Sequence, residues 1–153
     1  MKEPIWADIE NSKAVTDAFN RLGKAAANPR PAYLGIGESL TVSTKKRFET
    51  STAPDGTRWA PNKPSTLKRK KGNKPLIGKT SLLSQQIYYE LDDNGLRIGS
   101  PMEYAAMQHN GGMKSQFPNL WGDIPSREFL GVSVEDEKMI LNTVSDYLSS
   151  VVR

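Results

Sequence analysis

The chain has no cysteine, only one histidine, His109, and no acidic residue between Gly56 and Tyr89. Without cysteine there is no disulfide, no thiolate metal site and no cysteine nucleophile, although the cellular compartment stays open. With one imidazole, a metal site would need carboxylates gathered around it, and no ligand-spaced cluster is present. A serine triad on His109 would need a nucleophile-elbow sequence, which is also missing. No apolar run approaches the ~18 residues of a membrane span. The N-terminal "MKEPIWADIE" lacks a signal peptide's apolar stretch. The protein is therefore expected to stay in the cytoplasm or to be built into something assembled there, with no membrane partner. "GNKPLIGKT" ends like a phosphate loop in Gly78, Lys79 and Thr80, but Asn73 stands where that loop needs glycine, and "KRKKGNKP" replaces the buried strand. Asp92 and Asp93 are explained by turn propensity. No catalytic, metal or cofactor site is expected, and the chain does not read as an enzyme.

What remains is a chain of 153 residues, 37% hydrophobic, with 10 prolines and 12 glycines. That suits one domain, residues 1–153, with a real core and much loop. The net charge of +4 is unevenly placed. Arg58, Lys63, Lys68, Arg69, Lys70, Lys71, Lys74 and Lys79 fall in the acid-free stretch; removing those eight from 21 basic residues leaves 13 against 17 acidic ones. A basic arm at about 51–79 on an acidic body points to docking on something anionic, or on an acidic face of another copy.

Residues 9–27 carry Ile9, Val15, Ala18, Phe19, Leu22 and Ala26 at helical spacing, and "ANPRP" ends that helix. A second helix over 32–50 puts Tyr33, Ile36, Leu40, Thr44 and Phe48 on one stripe, and the two resemble an antiparallel helical hairpin. Pro54, Asp55 and Gly56 form a turn, after which Trp59 reads as a plug against a nearby helix. A short helix follows from Ser65, carrying the lysines. "IYYELDDNGLRIGS" predicts a β-hairpin. "PMEYAAMQHN" predicts a short helix closed by Gly111 and Gly112. An irregular loop at about 110–124, with Phe117, Leu120 and Trp121, is either tucked under the domain or awaiting a partner. "REFLGVSV" reads as a third strand. Residues 135–151 predict a last helix with Ile140, Leu141, Val144, Tyr147, Leu148 and Val151 on its apolar face. The fold class is α+β: a helical hairpin and C-terminal helix packed on a small antiparallel sheet, with long loops.

The succession "RFETSTAPDGTRWAPNKPSTLKRKK", "PLIGKTSLLSQQI", "LRIGSPMEYAAMQHNGG" and "IPSREFLGVSVEDEKMI" resembles the phage virion morphogenesis family, which includes tail-completion proteins of Mu-like phages and prophages. The residues carrying the likeness are Phe48, Pro54, Asp55, Gly56, Trp59, Thr66 and Lys70, then Leu76 to Leu83, Ile98 to Ser100, Tyr104 with His109, and Arg127, Phe129, Leu130 and Gly131. Ser81 stands where the family usually has glycine, and Gln108 with His109 inverts its usual order. The resemblance implies a structural protein of the virion, assembled in the host cytoplasm and acting in tail completion or head–tail joining as a ring. Its implied partners are further copies of itself and other tail, neck or head-closure proteins. A ring needs heterologous contacts, one face meeting a different face of the neighbour. The arm and the irregular loop supply candidates: Trp59, Lys63, Lys68, Arg69, Lys70, Lys71, Lys74, Phe117, Leu120 and Trp121. If such a ring surrounds DNA, some lysines would face phosphate nonspecifically. The competing reading is a DNA-binding accessory protein using the basic segment 58–79.

Overall fold

The computed structural model describes residues 13–70, 72–93 and 95–153. The expected helix start at residue 9, the interface candidate Lys71 and Asn94 of the hairpin turn lie outside the described residues.

The described elements are α1 (Lys13–Ala27), α2 (Arg30–Thr50), α3 (Pro64–Arg69), α4 (Leu82–Gln85), β1 (Tyr88–Asp92), β2 (Gly95–Gly99), α5 (Ala105–Asn110) and α6 (Val134–Val152). They make an α+β fold. Pro29 separates α1 from α2 and sits at the N-cap of α2, with Pro31 in its first turn, where a missing N–H costs nothing. The hairpin is antiparallel, pairing Tyr89 with Ile98 and Asp92 with Gly95.

The longest helix, α2, is the centre of the molecule. Ile36, Leu40, Thr44 and Phe48 are buried along one stripe. Gly35 and Gly37, about 200° apart around the helix, let neighbours approach on opposite sides. A Cβ on Gly37 would strike the Tyr89 ring of the hairpin, and one on Gly35 would touch Thr143 of α6. The sheet and α6 both pack on α2. So α6 joins the body through helices α1 and α2, where the sequence suggested that it lies on the sheet. Likewise α1 packs mainly on α6. Tyr147 Oη donates to Asn28 O at 2.8 Å, and Arg21 reaches Val152 O. The anticipated helical hairpin is thus two consecutive helices sharing α6 as partner. Only Ala25 of α1 is buried, and Phe19 is 69% exposed. On α6, Leu141 and Val144 are exposed as well, because the inner face is the one bearing Thr143 and Tyr147.

The expected third strand is not one. Residues 127–131 run extended without a ladder, because other groups take their backbone hydrogen bonds. Arg127 N donates to Gln108 O at 3.1 Å. Phe129 N and Leu130 N donate to His109 Nδ1 at 3.2 and 3.4 Å. Glu128 O accepts from the Trp59 indole at 2.8 Å, and Phe129 O and Gly131 O accept from Arg47 at 2.8 and 3.1 Å. These six groups are thus satisfied by the side chains of His109, Trp59 and Arg47 and by one carbonyl of α5, in place of a neighbouring strand. This segment closes the core of Phe48, Trp59, Leu83, Ile87, Ala105 and Phe129. Phe48 and Phe129 have no exposure, and their rings lie 5.2 Å apart. Burying such a ring is worth about 1.5–3 kcal/mol.

Candidate docking groove

The turn at Pro54, Asp55 and Gly56 sets the geometry of the arm. Ala53 N bonds Thr57 O at 2.8 Å, and Thr57 N donates to Asp55 Oδ1 at 2.9 Å. That second bond, from the Thr57 backbone, holds the Asp55 carboxyl below its ordinary pKa. Gly56 takes φ 86°, a left-handed value natural to glycine. The chain doubles back, pairing Thr52 with Arg58, and drops Trp59 edge-on against Phe48 at 5.4 Å. Trp59 is 6% exposed. It is the plug foreseen, which makes it the arm's anchor and removes it from the contacting surface.

Past Trp59 the arm is tied to the C-terminal part of the chain. Arg127, itself buried, donates to Ala60 O at 2.8 Å and Pro61 O at 3.0 Å. Lys63 Nζ donates to Asp123 O at 2.8 Å, joining the arm to the irregular loop. The loop has its own clasp. Gly112 and Ile124 exchange backbone bonds at 2.9 and 2.8 Å, and Asp123 Oδ1 accepts from Lys114 N at 2.8 Å. Gly111, at φ 74°, lies so close to the returning chain that a Cβ would come within 2.6 Å of Ser126 N.

Between α3 and the loop lies a groove of about 640 Å³. Lys63, Arg69 and Lys70 line it on the arm side, and Leu120, Trp121 and Ile124 on the loop side. Leu76, Tyr104, Arg127 and the carboxylate of Asp123 are also among its lining residues. The fold thus brings together two segments that the sequence offered as separate contacts. The others fall elsewhere. Lys68 is exposed on α3 outside the groove, and Lys74 borders a second depression with Glu49 and Trp59. Phe117 is 45% exposed beside Gly112. Trp121 is wholly exposed.

The groove is electrostatically unbalanced. Among the described residues, no cation of the arm forms an ion pair with a carboxylate; the three ion pairs are Lys13 with Asp17, Arg47 with Asp136, and Arg97 with Glu90. Burial, and then the charge of Arg127, push the Lys70 pKa down. Burial does the same to Arg127. Positive charge is therefore in excess along the groove, where Asp123 is the one carboxylate of the lining and accepts from the Lys114 amide rather than pairing with an arm cation.

The other motif residues serve the scaffold. His109, in the last turn of α5, accepts through Nδ1 from the Phe129 and Leu130 amides and stacks edge-on against Phe129 at 5.1 Å. That nitrogen is committed as an acceptor. Ser126 Oγ donates to the His109 carbonyl at 2.8 Å and takes no part with the ring. No group of three potential ligands gathers to hold a metal among the described residues. Nor is any helix there long and apolar enough to cross a membrane.

Arg47 and Asp136 went unnoticed in the sequence. Arg47 is 5% exposed and bonds Phe129 O, Gly131 O, Ser43 Oγ and Asp136, whose carboxylate completes a capping box with Ser133 at the start of α6. Nothing distinguishes Arg47 from its neighbours Lys45 and Lys46 in the sequence. The "SVED" run, by contrast, already carries a cap signature.

The phage virion morphogenesis family matches over residues 10–149. The chain is similar to Mu-like prophage FluMu G protein 2 of Haemophilus influenzae, with 28% identity over 149 residues, covering 97% of this chain and 99% of the relative. No solved structure matches.

Proposed function

We propose, from the premise that this chain belongs to the phage virion morphogenesis family, that it completes the tail or neck by forming a ring that joins tail to head. Its role in morphogenesis is structural, so what the molecule must supply is surface rather than reacting groups. The observation that carries the reading is the pairing across one groove of unmatched cations with a wholly exposed tryptophan, Trp121. A large aromatic beside charge, rigidly backed by a buried core, is the composition of an interface centre. The arm is already fastened at Trp59, Arg127 and Lys63, so little ordering entropy is lost when a neighbour covers it. The same surface is free to meet further copies of this chain or other tail, neck and head-closure proteins. The chain is taken to act within the virion at the junction, with no reaction to catalyse. Its relative's name places that protein in a Mu-like prophage, in keeping with this origin.

The test is removal. Particles made without this gene product are expected to accumulate as filled heads and separate tails by electron microscopy. Normal joined particles would overturn the proposal, as would a purified monomer that turns over a substrate.

A further inference from the structure

We infer that the groove between α3 and the loop receives the start of α6 from a second copy of this chain, with Val132 and Val134 entering it and Glu135 and Glu137 meeting the cations of the arm. The inference rests on the ring-forming reading above and names which surfaces meet.

Charge is the first argument. Residues 56–89 contain no acid, whereas residues 128–137 contain no cation and four acids, Glu128, Glu135, Asp136 and Glu137. Asp136 is taken by Arg47 and the Ser133 cap, but Glu135 and Glu137 are exposed. Opposite charge selects the partner and the register of docking. Shape and polarity are the second argument. Beside these acids Val132 is 55% and Val134 64% exposed, and the groove offers Leu76, Leu120 and Ile124 in the same lining as its cations. A phosphate backbone would use the cations alone; a valine-and-glutamate knob uses both. The third argument is stiffness, because the capping box and Arg47 fix the knob before it docks. Knob and groove occupy different parts of one subunit, so the contact is heterologous and propagates head to tail.

Charge reversal tests this. Light scattering and native mass spectrometry would follow wild type, the arm variant Arg69→Glu/Lys70→Glu, and the knob variant Glu135→Lys/Glu137→Lys. Each variant alone is expected to assemble on the order of 10-fold more weakly or worse, since like charges then face each other. Mixed, the two should co-assemble alternately, because each arm then meets a knob of opposite sign; this also shows both variants to be folded. Variants that assemble like wild type, or a mixture that stays monomeric, would overturn the inference while leaving the ring reading intact. A wild-type chain that remains monomeric alone and with its virion neighbours would overturn both. A salt-steep affinity for duplex DNA, lost in the arm variant with assembly unchanged, would make the groove a phosphate site and also overturn it.

Discussion

Arg47 shows how one side chain decides the placement of two distant parts of the chain. Its guanidinium reaches the carbonyls of Phe129 and Gly131 and the carboxylate of Asp136 from inside the protein. Replacement by methionine would leave two carbonyls without this donor and a buried carboxylate without its counter-charge. Arg47→Met is therefore expected to cost about 3–5 kcal/mol in urea unfolding, far more than Lys46→Met. Asp136 adds a pH signature. Burial pushes its carboxyl up, but bonds from Ser43 and Ser133 together with the Arg47 charge outweigh that and hold its pKa below the ordinary value. The folded state then binds fewer protons than the unfolded one. This stability is fully present above about pH 4, the ordinary carboxylate range, and is lost as pH falls through the lower native value. Asp136→Asn should be less stable at neutral pH and show a shallower acid limb in unfolding measured from pH 6 to 2. Ser81 gives a prediction of opposite sign. It adopts φ 53° at the N-cap of α4, a left-handed conformation costing a side-chain-bearing residue about 1–2 kcal/mol. Glycine, which the family resemblance puts there, should raise stability by roughly 0.5–1 kcal/mol after its greater unfolded-state entropy is subtracted.

Elements were legible in the sequence where their bonds are local and obscure where they are not. The β-hairpin announces itself through alternation and the turn after Asp92, and α6 through its cap at Ser133. Residues 127–131 have the composition of a strand, and the chain there is extended. What composition does not reveal is that the acceptors and donors opposite it belong to His109, Arg47 and Trp59, 20 to 84 residues away. His109→Ala should leave two buried amides without an acceptor and cost about 1–3 kcal/mol, read as a lower melting temperature with the secondary-structure signal retained. The same limit explains the helices. Periodicity found α1 and α6 as helices but not which face of each would be covered, since Val15, Phe19, Leu141 and Val144 of the expected stripes are exposed, nor which helix each would meet. Gly37 is the hidden determinant on α2. Gly37→Val is expected to displace Tyr89, cost about 1–3 kcal/mol by overpacking, and speed amide exchange across β1 and β2.

At the scale of the whole molecule, the arm and the irregular loop could each be picked out, Lys63 and Trp121 included, but their meeting could not. Lys63 and Asp123 are 60 residues apart, and no local pattern encodes that contact. Because Trp121 supports nothing within its own subunit, Trp121→Ala should leave the melting temperature within about 0.5 kcal/mol equivalent of wild type. Solution mass should nevertheless show weaker assembly, and a variant that assembles normally would remove Trp121 from the interface.

The opposed settings of two indoles give the molecule an optical readout. Trp59 is sealed beside Phe48 while Trp121 stands in water, so with Trp6 replaced by phenylalanine the fluorescence divides into a short-wavelength and a long-wavelength component. Denaturant reddens the first. Contact with a neighbour blue-shifts the second, letting collapse of the core and arrival of a partner be timed separately in one cuvette, without an attached dye.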